Sequence, residues 1–83
     1  MTSAQFNLLQ MRDKERLVFL EGNFIAVRQE PEFIIRLFQL ELFYVELFYH
    51  QVRKQAVSVR IFTDTSRLQP YFDSIDLSDI LDL

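Results

Sequence analysis

Eighty-three residues allow one small domain, residues 1–83, with 49% hydrophobic and 25% charged side chains; these ordinary proportions exclude a disordered tail or a collagen-like repeat. The absence of cysteine excludes a disulfide scaffold, thiol catalysis and thiolate metal sites, and the single histidine, His50, excludes His-pair metal sites. The net charge of −3 is uneven: residues 1–67 hold nine bases and eight acids, and residues 68–83 hold Asp73, Asp76, Asp79 and Asp82 with no base.

The first predicted element is a short helix over 3–10, capped by Thr2 or Ser3, with Phe6 and Leu9 one turn apart. Asp13 offers a second N-cap for a helix over 14–21 whose Leu17, Val18, Phe19 and Leu20 cover most of its far turn, although the two segments could also be one bent helix. Gly22, the only glycine, is expected just past that helix with positive φ.

From Asn23 onward the chemistry is that of strands. Residues 24–29 form a short strand that ends at Glu30-Pro31, since proline cannot donate to a ladder. Residues 32–40 and 43–50 are rich in Phe, Tyr, Ile and Val. Residues 57–62 alternate, with Val57, Val59 and Ile61 on one face and Ser58, Arg60 and Phe62 on the other. Between them, 51–56 is a polar connection of hairpin length. A rival reading makes 31–55 one long helix. Its apolar residues would cover the whole circumference, and aromatic and β-branched residues fit a pleated sheet better. After Phe62 the chain turns polar; Gln69-Pro70-Tyr71-Phe72 reads as a helix start with proline in its first turn, and Asp76 can cap a last turn over 77–81. The expected fold class is α+β: N-terminal helical segments, a four-stranded antiparallel meander and a short C-terminal helical segment.

Three stretches carry a family resemblance. They are Glu21-Gly22-Asn23-Phe24-Ile25-Ala26-Val27-Arg28, Phe43-Tyr44-Val45-Glu46-Leu47-Phe48-Tyr49, and Leu68-Gln69-Pro70-Tyr71-Phe72-Asp73-Ser74-Ile75-Asp76-Leu77. In this order they resemble a family of short uncharacterised bacterial proteins. That family runs helix, Glu-Gly-x-Phe turn, a meander with Phe-Tyr-Val-Glu, and a closing Pro-Tyr-x-x-x-Ile-Asp-Leu. The resemblance implies the meander with helices at both ends and carries over no catalytic residue. The chain departs from it at the hairpin tips, where Glu41-Leu42 and Val52-Arg53-Lys54 stand in place of glycine or asparagine.

The functional candidates are few. His50 and Glu46 could share a face and move a proton, but no activated nucleophile accompanies them, and a strand-end histidine is usually a rim residue. Thr63-Asp64-Thr65-Ser66 could hold a phosphate or a metal, although these residue types are foremost those of turns and caps. No catalytic, cofactor-binding or metal-ligating residue is therefore assigned, and an enzyme is not expected. Without a clustered basic excess, no nucleic-acid partner is expected. The N-terminus lacks the pattern of a signal peptide. The most apolar region, 33–49, is broken by Arg36, Gln39, Glu41 and Glu46, so no membrane span is expected and the location is read as cytoplasmic.

The middle strands are apolar on both faces, as in Phe33-Ile34-Ile35 and Phe43-Tyr44-Val45. Strands of a sheet with one wet face should alternate. If helices cover one face, Tyr44, Phe48 and Phe62 would populate the other and form an interface, unless the C-terminal segment folds back and covers it within the monomer. The function expected is a small non-enzymatic interaction module, self-associating through its sheet as a homodimer. The alternative is an inhibitor of a basic protein partner, such as a nuclease or nucleic-acid-binding protein, that acts through the acidic C-terminal segment.

Overall fold

A computed structural model describes residues 1–71. The acidic aspartates after Tyr71 and the last turn over 77–81 lie outside the described residues. Helices α1 (Ser3–Asn7) and α2 (Met11–Glu21) precede strands β1 (Asn23–Gln29), β2 (Phe33–Leu40), β3 (Phe43–His50) and β4 (Gln55–Phe62), followed by a 3-10 helix, Thr65–Tyr71. The strands form one antiparallel sheet in the order β1-β2-β3-β4. The fold is α+β, and the long-helix reading of 31–55 does not occur.

The N-terminal helices are separate. Thr2 caps α1 through a capping box: its hydroxyl accepts from the Gln5 N–H, and the Gln5 side chain accepts from the Thr2 N–H. Helix α2 starts earlier than expected. Its N-cap is Gln10, and Asp13 lies in the first turn, where a negative charge suits the helix dipole without serving as the cap.

Gly22 ends α2 as expected, but with φ −78° and not the left-handed conformation. The chain passes straight into β1, so an extended residue is what the junction needs. The requirement for glycine is steric: a Cβ there would lie 2.6 Å from the Val18 carbonyl oxygen. Gly22→Ala is expected to destabilise the protein by about 1 kcal/mol or more, because backbone must shift to relieve the overlap. A urea midpoint equal to that of the parent chain would show that the junction yields freely.

Positive φ falls instead at Glu41 (54°) and Lys54 (56°), the hairpin positions where the chain lacks glycine. Side chains other than glycine carry a steric cost in this region. Long β-branched and aromatic strands therefore impose their register on unfavourable tips. Ladder irregularities occur between Phe24 and Ala26 of β1 and between Phe48 and Tyr49 of β3. The second leaves Val57 without a register partner, yet the alternation read over 57–62 holds: Val57, Val59 and Ile61 are half-buried, Ser58 and Arg60 are exposed, and Phe62 is buried in the core of the other face.

Each face of the sheet has its own core. On one face Phe6 and Val18 of the helices pack with Phe38, Leu40, Phe43, Val45 and Leu47. On the other, Ala26, Leu37, Tyr44 and Phe62 pack with Leu68 and Tyr71 of the 3-10 helix. This second layer explains why β3 is buried from Phe43 through Leu47 without alternation. The helix expected to start at Gln69 already begins at Thr65, and Pro70 lies near its end. Asp64 caps it: the carboxylate accepts from the Ser66 N–H at 2.9 Å, and this bonding holds the Asp64 carboxyl below its usual pKa. Among the described residues, no helix is long and apolar enough to cross a membrane.

Candidate functional site

The expected interface residues share one face. Tyr44 lies opposite Phe62 in the β3–β4 register, and their rings stack with centroids 5.4 Å apart. Phe48 follows on the same face, half-buried, edge-on to Phe33 and beneath the Arg60 guanidinium. Helices α1 and α2 cover the opposite face, as expected. Tyr44 and Phe62, however, are only 7% and 8% exposed, because Leu68 and Tyr71 roof them. They are core residues of the chain, and the exposed apolar surface lies elsewhere.

That surface borders β1. Phe19 at the end of α2 and Phe24 at the start of β1 both set their rings edge-on against Phe38. Helix α2 leaves this corner open, and Phe19, Phe24 and Val27 are 54%, 57% and 45% exposed. β1 is also an edge of the sheet. Among the described residues nothing pairs with its outer side, so a row of backbone donors and acceptors faces outward. Nothing in the sequence marked Phe19 and Val27 as exposed, since both fit an amphipathic pattern equally well when buried.

The second feature is polar and centres on Glu46 of β3, the only charged residue in the buried core of the described residues, at 5% exposure. Its Oε2 accepts from the Tyr71 hydroxyl at 2.6 Å and from Arg28 Nη2 at 3.4 Å. Arg28 Nη1 donates to Glu30, and the guanidinium lies 5.5 Å from the Tyr71 ring centroid. Burial works against the charge on Arg28, but its hydrogen bonds to Glu30 and Tyr71 and the nearby Glu46 carboxylate outweigh that and raise its pKa. Burial, then the bond to Glu46, raises the Tyr71 phenol well above its usual range. The phenol thus remains a donor at every physiological pH.

His50 takes no part in this network. Its Nδ1 accepts from the Val52 and Arg53 N–H groups, each at 3.2 Å, so the ring caps the β3–β4 turn. The His50–Glu46 pair does share a face, but Glu46 is engaged by Arg28 and Tyr71.

Beside the network opens a cleft of about 400 Å3 lined by Arg28, Glu46, Arg60, Ser66, Arg67, Gln69 and Pro70. Three arginines from β1, β4 and the 3-10 helix line it, Arg28 distant in sequence from Arg60 and Arg67. Comparison with known protein families, curated proteins and solved structures gave no match. Function must therefore be argued from these two surfaces.

Proposed function

We propose that the chain is a small non-enzymatic interaction module that self-associates through the β1 edge of its sheet. The observation that carries this reading is the coincidence of an edge strand, unpaired on its outer side among the described residues, with the exposed Phe19, Phe24 and Val27 beside it. Strand Asn23–Gln29 bears one charged side chain, Arg28, and that is held inward by Glu30 and Glu46. Edge strands that must stay single usually carry outward charge or are covered. A second copy meeting β1 about a two-fold axis would extend the sheet antiparallel and bring the same aromatic patch from each chain together. Aromatic residues suit such a patch because each buries a large area with few torsions to freeze. The other edge, β4, supports the reading less, since Gln55, Ser58 and Arg60 are exposed along it.

Sedimentation equilibrium at micromolar concentration is expected to report about twice the 10.0 kDa chain mass. Val27→Lys places a charge on the exposed edge strand and should return the chain to a monomer with its circular dichroism unchanged. A parent chain that stays monomeric up to about 1 mM would overturn the reading, since that limit leaves only about 4 kcal/mol of association.

A further inference from the structure

The cleft beside Glu46 has an imbalance of charge. Arg28, Arg60 and Arg67 line it; Arg28 is paired with Glu30 and Glu46, which leaves Arg60 and Arg67 as the cations of its wall without an ion pair among the described residues. Glu46 is already bonded to Arg28 and Tyr71. Arg60 lies directly opposite Glu46 in the β3–β4 register, yet its guanidinium rests 5.5 Å from the Phe48 ring centroid and makes no ion pair among the described residues. Arg67 makes none either, although the Asp64 carboxylate, which accepts from the Ser66 N–H, lies near enough to interact with its charge. The buried Nε–H of Arg28 has no hydrogen-bond partner among the described residues. Buried donors are seldom left unpaired without a reason. Ser66 and Gln69 add neutral donors to the same wall.

We propose that this cleft binds the phosphate group of a small phosphorylated molecule. Guanidinium forks match phosphate oxygens bidentately. A phosphate has enough acceptor oxygens to take bonds from both Arg60 and Arg67 at once, whereas a single carboxylate is filled by one guanidinium fork. The cleft volume lies in the range of small-molecule sites, so it has room for a phosphate and an organic group attached to it. A nucleic-acid strand is a poorer fit, because three arginines around one concavity neutralise a point and not a line of phosphates. This site lies under the 3-10 helix on the face opposite α2 and is independent of the β1-edge association.

The test is a titration of the full chain with inorganic phosphate, at constant ionic strength, read on the arginine Nε–H resonances by NMR. Saturable shifts confined to Arg28, Arg60 and Arg67, with Kd on the order of 1 mM or tighter, are expected. The Arg60→Gln/Arg67→Gln variant changes two exposed side chains and should keep the parent melting temperature while weakening binding at least tenfold. Arg53→Gln, on the β3–β4 turn, should bind as the parent does. Non-saturating shifts spread over all arginines, or binding unaffected by Arg60→Gln/Arg67→Gln, would mean an adventitious ion only and overturn the site. Saturation of the same resonances by acetate at equal concentration would overturn the assignment to phosphate.

Discussion

Tyr71→Ala is expected to destabilise the protein by about 3–5 kcal/mol, as do other truncations of fully buried aromatic side chains. Tyr71 is 0% exposed and anchors the 3-10 helix over Ala26, Leu37, Tyr44 and Phe62. The substitution removes the ring from that layer and the hydroxyl from Glu46. A loss of this size is a large share of the roughly 5–15 kcal/mol that holds a domain folded. Tyr71→Phe separates the two contributions. It keeps the ring and leaves Glu46 without its shortest hydrogen bond, for a loss of about 1–3 kcal/mol. Urea unfolding of both variants measures this. A loss below 1 kcal/mol for Tyr71→Ala would mean that the 3-10 helix adds little to the core.

Glu46→Ala is expected to cost about 3 kcal/mol or more, the loss typical of removing one partner from a buried charged pair. The reason is less the attraction lost than the groups left behind. Arg28 Nη2 and the Tyr71 hydroxyl would both lose the carboxylate to which they donate. Arg28 retains Glu30, which limits the damage. Glu46→Gln keeps volume and an acceptor and should cost less than half as much. Combining Glu46→Gln with Tyr71→Phe should fall short of the sum of the single losses, because both disrupt one hydrogen bond. Strict additivity in chemical unfolding would show that the 2.6 Å contact contributes nothing to stability.

These residues show where local reasoning stops. Alternation, turn residues and β-branched content placed all four strands, and β3 was read with the bounds observed, Phe43–His50. Those signals are local, since a pleat period or a proline acts within a few residues. The stop at Gly22 was legible for the same reason, whereas the sequence left the two N-terminal helices equally readable as one bent helix. The conformation of Gly22 was not legible, because its constraint is the approach of Val18 across the last turn. The excess of apolar residues on both strand faces signalled that something covers the second face, and pointed first to a second copy of the chain. What supplied the cover was set by tertiary packing, through Leu68 and Tyr71, which turned Tyr44 and Phe62 from surface into core.

The sequence by itself determined the class of fold, the order of its elements and the lack of material for thiol or His-pair chemistry. Periodicity and residue type carry that information along the chain. Only the tertiary structure decided which apolar residues remain outside. That structure leaves Phe19, Phe24 and Val27 exposed at the β1 edge. It also gathered Arg28, Arg60 and Arg67 around one cleft. In the sequence these arginines are dispersed among acids and suggest no basic patch; strand register and the fold-back of the 3-10 helix bring their charges together, and charge acts through space.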